Sequence, residues 1–332
     1  MRTTRTAAAL LTAAVLTVTA AGCSGSGGKQ SEDPPKGATG GSPAPGQRMT
    51  IAMVTHSGEG DTFWDIVQSG AEAAAAKDGV EFLYAADKEG KGQAQLIDSY
   101  VAKKVDGLIV TLAKPEAVKA SVAKAVAAGI PVVTVNSGGQ FSRPFGALGH
   151  IGQDETVAGE AVGEELNARG RKKALCVIHE QGNVSLEERC AGVAKTFQGT
   201  VENLNVEGTN MPAATSSIEA KLQSAEDIDA VVTLGAPFAA ASVKAKAGAG
   251  STAEIDTFDL NAAVVTQLKA KEIGFAVDQQ PYLQGYLAVD GLWLHRTNRN
   301  VVGGGKPVLT GPALVTEKDV PALEALTARG TR

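Results

Sequence analysis

Met49-Thr-Ile-Ala-Met-Val54 is an apolar run of strand length. An alanine-rich stretch of helical period follows it from Thr62 to Asp78, and then a second short run, Glu81-Phe-Leu-Tyr84. Short apolar runs alternating with longer helical stretches are the pattern of βαβ units around a parallel sheet. The alternation continues outward. Gly107-Leu-Ile-Val-Thr111, Pro131-Val-Val-Thr-Val135, Ala174-Leu-Cys-Val-Ile178, Ala230-Val-Val-Thr-Leu234, Glu254-Ile-Asp-Thr-Phe258 and Gly274-Phe-Ala-Val277 read as strands. The stretches 92–103, 115–128, 157–169, 186–197, 217–224, 239–247 and 260–270 read as helices. The first four strands with their helices suffice for one doubly wound lobe, and the set from Lys173 onward suffices for a second. A helix over 284–297 and a last strand over 308–315 are left to be shared between them. The expected fold is α/β, with two doubly wound parallel-sheet lobes on one chain.

The N-terminus has a different character. Arg2 and Arg5 precede an apolar run from Ala7 to Val18, and the small residues Thr19-Ala20-Ala21-Gly22 precede Cys23. Charge, apolar core and small residues in that order predict a secretory signal over 1–22. The run is shorter than the roughly 20 apolar residues a membrane span needs. A thiol directly after small residues can be alkylated by a diacylglycerol, and Thr19 to Cys23 resembles the lipobox of bacterial lipoproteins, with Thr where that pattern prefers Leu. An ordinary signal followed by an accidental cysteine is the alternative. From Ser24 to Gly46 no aliphatic residue is larger than Ala, so burial cannot offset the entropy of ordering. Residues 23–48 are therefore expected to be a lipidated cysteine and a disordered tether, holding the folded part off the outer face of the cell membrane.

Without residues 1–22 the chain carries 29 Lys and Arg against 36 Asp and Glu, a net charge of −7, which argues against nucleic acid as a partner. Besides Cys23 only Cys176 and Cys190 occur. In a secreted chain they form either a disulfide or a pair of buried thiols, and sequence does not choose between these. In open α/β sheets ligands gather beyond the carboxyl ends of the strands. The loops to inspect are then 56–64, 85–91, 111–114, 136–139, 179–185, 235–238, 259–261 and 278–282, which are rich in polar side chains, Gly and a few aromatics.

Asp61-Thr-Phe-Trp64, Ala128-Gly-Ile-Pro-Val-Val-Thr-Val-Asn136, His150-Ile-Gly-Gln-Asp-Glu155 with Ala158-Gly159, and Asp278-Gln-Gln-Pro281 resemble type I periplasmic sugar-binding proteins, the ribose-binding-protein-like group. The similarity runs in order from about Met49 to about Val320. It implies two lobes joined by a three-crossover hinge, lobe one being 49–153 plus 280–308 and lobe two 154–279 plus 309–332, with crossings near Gln153-Asp154, Gln279-Gln280 and Leu309. It also implies a monomeric clamp that closes on a small carbohydrate and delivers it to ABC permease subunits in the membrane. Position by position, the ligand site would draw on Asp61, Phe63, Trp64, Thr111, Asn136, Asn183, Glu187, Arg189, Asp259 and Gln279. Phe63 and Trp64 would stack on the C–H faces of a sugar ring, and Asn136 and Asp259 would clamp its hydroxyls. Gln279 would contact the sugar at the hinge. The chain departs from the family at Glu187, where an arginine often stands, and at Gly235-Ala236-Pro237, which replaces an Asn-Asp pair. These departures weigh against ribose itself and leave an aldohexose, a ketose, another pentose or an inositol open as the cargo.

Rival classes lack their signatures. There is no G-x-S-x-G elbow, P-loop or G-x-G-x-x-G opening a helix, and His56, His150, His179 and His295 have no metal-ligand spacing. No cofactor or metal is expected, and no catalysis. A transcription regulator of this fold would begin with a helix-turn-helix rather than a signal and tether. A receptor of the same fold for a polyol, nucleoside or amino acid, feeding a sensor instead of a permease, is the alternative and would look the same in sequence.

Overall fold

The structure, a computed structural model, describes residues 48–58 and 61–332. The signal, Cys23 and the tether up to residue 47 lie outside the described residues. The first half of the chain forms β1 (Thr50–Thr55), α1 (Thr62–Asp78), β2 (Glu81–Ala86), α2 (Gly90–Ala102), β3 (Gly107–Val110), α3 (Pro115–Ala127), β4 (Val132–Val135), the short α4 (Gly139–Ser142) and β5 (Gly149–Gly152). After α5 (Glu155–Ala168) the same succession repeats as β6 (Lys173–Ile178), α6 (Val184–Thr196), β7 (Thr200–Asn205), α7 (Met211–Ser224), β8 (Ala230–Thr233), α8 (Ala236–Ala249), β9 (Glu254–Phe258), α9 (Ala262–Lys269) and β10 (Ala276–Asp278). The chain ends with α10 (Pro281–Asn298), β11 (Val308–Leu309), β12 (Ala313–Val315) and α11 (Val320–Ala328).

These strands make two six-stranded sheets, ordered β11-β5-β4-β3-β1-β2 and β12-β10-β9-β8-β6-β7. Every pairing is parallel except that of β12 with β10. Helices cover both faces, so β3, β4 and β8 are buried at every residue, and this is why they read as unbroken apolar runs. Along β1, Ile51 and Met53 enter one core cluster while Ala52 and Val54 enter another on the opposite face, the two-residue period of a strand. Two edge-of-pattern strands escape a sequence reading. β7 alternates Thr, Val, Glu, Asn, Leu and Asn at a half-exposed edge, and β5 is four residues, two of them Gly.

The chain passes between the sheets three times, at 153–154, 279–280 and 310–312. The third passage lies beyond Leu309, which still pairs with Gly152 in the first sheet. The stretch 308–315, expected as one strand, is therefore two strands in different sheets. Pro312 between them has no N–H to offer a ladder. After the second passage α10 packs along α1, as α5 packs along α6 in the other lobe. Both contacts need glycine. A Cβ on Gly285 would fall 1.9 Å from the carbonyl oxygen of Val67, and one on Gly192 would fall 2.4 Å from that of Thr156.

Candidate functional site

The carboxyl ends of both sheets face a cleft of about 1010 Å³ walled by both lobes. Strand order reverses between β1 and β3 in one sheet and between β6 and β8 in the other, the positions at which open α/β sheets hold ligands. The internal repeat supplies matched residues. His56 follows β1 and His179 follows β6, while Asn136 follows β4 and Asp259 follows β9. Asn136 and Asp259 both adopt left-handed backbone, with φ of 62° and 69°, a conformation that Asn and Asp tolerate better than most side chains.

On the first wall, Asp61 caps α1 by accepting a 3.1 Å hydrogen bond from the Phe63 N–H, which sets Phe63 and Trp64 in the first turn. Phe63 is half-buried, and Trp64 is packed into the lobe's core with one side on the cleft. Their rings meet edge to face at 5.2 Å, and Trp64 meets His56 in the same manner at 5.1 Å. Burial raises the Asp61 carboxyl to about 6, against the lowering effect of the Phe63 N–H. Thr111, expected on the wall, stands behind it. Its fully buried hydroxyl lies 2.8 Å from His56 Nδ1, so it positions the imidazole instead of meeting ligand. Burial lowers the His56 pKa, leaving the ring neutral.

On the second wall, the His179 ring stacks on Phe238 at 4.2 Å with an interplanar angle of 16°. Burial lowers His179 to about 4. Gly235 admits this stack, since a Cβ there would lie 3.2 Å from His179 Cε1. Where the family often has polar side chains, this chain thus presents a flat aromatic surface. Neither His179 nor Phe238 was singled out for the site from sequence. Their loops follow strand ends, which is a signal, but Phe238 meets His179 across 59 residues and only folding pairs them.

The first turn of α6 completes that wall. Asn183 caps the helix through Oδ1, which accepts the Ser185 N–H at 3.1 Å, and its Nδ2 donates to Glu180 Oε2 at 2.9 Å. Arg189 is buried against Glu155, with Nε to Oε2 at 2.6 Å and Nη2 to Oε1 at 3.0 Å, and Nη1 donates to the Leu234 carbonyl at 3.1 Å. Its guanidinium also lies 4.8 Å from the Phe258 ring centroid. Three of its five N–H groups are thereby engaged, which leaves one each on Nη1 and Nη2 of a residue that lines the cleft. Glu187, also expected in the site, is exposed and outside the cleft lining. Two residues along a helix turn about 200°, so Glu187 and Arg189 cannot share a face. Cys176 on β6 and Cys190 on α6 are joined by a disulfide, both side chains buried, which ties this helix to the sheet beneath it.

A chain of amides crosses the hinge. Asn136 Nδ2 donates to Gln279 Oε1 at 3.0 Å, and Gln279 Nε2 donates to Asp259 Oδ1 at 2.7 Å. Gln284 Nε2 also donates to Gln279 Oε1, at 3.0 Å. Burial raises Asp259 to about 7, opposed by the Arg189 charge and the Gln279 hydrogen bond. At the rim the lobes touch directly. Lys114 Nζ lies 3.2 Å from Glu180 Oε1, the Val184 N–H donates to the Ala113 carbonyl at 3.1 Å, and the Gly138 N–H donates to Ser185 Oγ at 3.3 Å.

Two aromatic walls facing a rim of hydrogen-bonding groups suit a small polar ring with apolar faces. Residues 51–299 match the periplasmic binding protein domain family, and the chain belongs to it. Its fold is that of type I periplasmic binding proteins, and the family is one of extracytoplasmic solute-binding proteins. Among solved structures it is similar to a carbohydrate transporter from Acidothermus cellulolyticus 11B, crystallised in complex with myo-inositol. The two share 47% identity and a TM-score of 0.85 over 86% of this chain and 100% of that one. A glucose-galactose binding protein from Geobacillus stearothermophilus has the same fold, with a TM-score of 0.74 at 20% identity over 83% of this chain and 99% of its own. The xylose/arabinose-binding protein of Sulfolobus acidocaldarius is 26% identical over 226 residues, which is 62% of this chain and 56% of that protein. The match thus spans little more than half the length of that curated relative. Among the described residues no helix is long and apolar enough to cross a membrane.

Proposed function

We propose that this chain is the extracytoplasmic solute-binding lipoprotein of an ABC importer, anchored through Cys23, and that its cargo is a cyclic polyol or closely related small carbohydrate, myo-inositol first. The observation that carries the reading is the pairing of aromatic surface with hydroxyl-matching groups. Phe63 and Trp64 face the cleft from one lobe and the His179–Phe238 stack from the other. Asp259, Asn136 and Gln279 form a linked polar edge between them. A cyclitol has C–H faces for the walls and a hydroxyl at every ring carbon for the edge. The 47% identity to a protein crystallised with myo-inositol supports the same class.

Cargo delivery follows from closure. A ligand that touches both walls shifts the lobes toward the closed form by its differential affinity for that form, and the closed form is what the permease would recognise. A hydroxyl of the wrong configuration leaves a buried group unpaired, at a cost of about 1–3 kcal/mol. The test is a thermal-shift panel of cyclitols, sugars, nucleosides and amino acids on the chain from Ser24 onward, which contains every described residue. The largest stabilisation is expected with myo-inositol, and a loss of most of it in Phe63→Ala and Phe238→Ala. Stabilisation by an amino acid or nucleoside alone would overturn the cargo class.

A further inference from the structure

The hydroxyl of Thr111 bears on which nitrogen of His56 carries the proton. Thr111 Oγ1 is fully buried and meets three nitrogens: the His56 backbone N at 3.1 Å, Gln93 Nε2 at 2.9 Å and His56 Nδ1 at 2.8 Å. A hydroxyl has one proton to give and two lone pairs. The backbone N–H and the amide only donate, so Nδ1 is the one partner that can accept the hydroxyl proton. Turning the Gln93 amide over would not help. Its oxygen would then face the carbonyl oxygens of Thr111 and Val54, which Nε2 now serves at 3.0 and 3.4 Å. A buried hydroxyl without an acceptor is penalised. With Nδ1 as that acceptor, the neutral ring holds its proton on Nε2.

Nε2 lies 3.3 Å from Asn183 Nδ2 on the other lobe. The Asn183 amide is held in its orientation from both ends, Oδ1 by the Ser185 N–H and Nδ2 by Glu180. Glu180 Oε2 is 3.9 Å from Nε2, beyond hydrogen-bond range. Closure thus brings two N–H donors face to face, one from each lobe, and neither side chain has an acceptor for the other.

We propose that His56 and Asn183 form a two-donor clamp for one ligand hydroxyl oxygen, and that this shared acceptor is what makes closing the lobes favourable. The inference rests on reading the cleft as a polyol site. It assigns discrimination at one ring position to His56, through a neutral donor fixed by Thr111 and Gln93. A ligand with hydrogen in place of that hydroxyl presents no acceptor and leaves both donors opposed.

Titration calorimetry of the chain from Ser24 onward with myo-inositol and its set of monodeoxy analogues tests the clamp. In the unmodified chain one ring position should dominate, with a deoxy penalty of about 30-fold or more, as expected for a lost bond to two donors. In His56→Phe and in Asn183→Ala the penalty at that same position should shrink to about threefold or less, while the other positions keep theirs. His56→Gln, whose side-chain Nε2 can donate from nearly the same place, should restore it and guards against a folding defect. A merely structural role would weaken all the ligands alike, and a penalty profile in His56→Phe parallel to that of the unmodified chain would overturn the proposal. A long-range 15N–1H NMR spectrum reads the tautomer independently of any ligand. A proton on Nε2 supports the clamp, and a proton on Nδ1 overturns it. Failure of the unmodified chain to bind any cyclitol or sugar would sink the cargo reading, and the tautomer would still decide whether His56 is a donor to the cleft.

Discussion

Asp259 is the residue at which charge, burial and the hinge meet. Its carboxyl accepts from Gln279, lies in the field of Arg189 and is nearly buried, so it titrates near 7, raised from 3.8 chiefly by loss of solvent. The folded chain therefore keeps a proton that the unfolded chain gives up, and stability from this group falls as pH rises from about 4 to about 7, levelling above that. The melting temperature should fall through this window, and Asp259→Asn should flatten that part of the profile. Binding should follow the opposite course, because the ionised carboxylate accepts ligand hydroxyls best. Affinity should rise about tenfold between about pH 6 and about pH 8, the ratio of ionised fractions around a pKa near 7. Calorimetry in buffers of different ionisation enthalpy should show proton release on binding, which Asp259→Asn abolishes. Asn136 and Asp259 are marked in the sequence by the family resemblance, and each stands one residue beyond a strand. Thr111 occupies a comparable position and yet faces inward, since the side chain one residue past a strand can point to either side of the sheet. Nothing local distinguishes the two outcomes.

At the scale of the element, α6 ties the site to the other lobe, to α5 and to β6. Its cap, Asn183, reaches the other lobe, its buried Arg189 pairs with Glu155 at the start of α5, and its Cys190 is bonded to β6. A buried ion pair is weak evidence for stability, because desolvation offsets much of the attraction. The disulfide is a firmer constraint. It closes a loop of 14 residues in sequence separation, for which the chain-entropy account gives about 3 kcal/mol. The double variant Cys176→Ala/Cys190→Ala should lose stability of that order in chemical denaturation. Its ligand affinity should fall as well, because the first turn of α6 is then less firmly held. Most elements could be read from apolar runs and helical periods, but the pairing partner of a short strand could not. β5 and β11 total six residues and exist because they pair with one another and β5 pairs in turn with β4.

For the whole molecule the question is what holds the lobes together once they meet. The rim contacts include the Lys114–Glu180 pair, a side-chain hydrogen bond from Gln140 to Glu188, the main-chain bond from Val184 to Ala113 and the bond from the Gly138 N–H to Ser185 Oγ. Both members of the ion pair are about one quarter exposed, so solvent screening limits it to about 0.2–1 kcal/mol. Lys114→Ala should accordingly speed ligand release by about 1.5- to 5-fold and leave the association rate nearly unchanged. Stopped-flow fluorescence of Trp64 at the cleft wall should follow both rates, and raising salt in the unmodified chain should move release in the same direction.

Local pattern was enough to establish that this chain is α/β with two repeated lobes, because strand and helix periods are written into neighbouring residues and a repeat shows itself in their order. It was also enough to point to the loops beyond the strand ends. Tertiary structure alone decided which residues in those loops form the cleft. It set Glu187 outward and Arg189 inward on one helix, divided 308–315 between two sheets, and stacked His179 on Phe238. It also brought His56 opposite Asn183, 127 residues later. Those outcomes depend on the acceptors, donors and space that distant segments supply, and such partners exist only once the chain has folded.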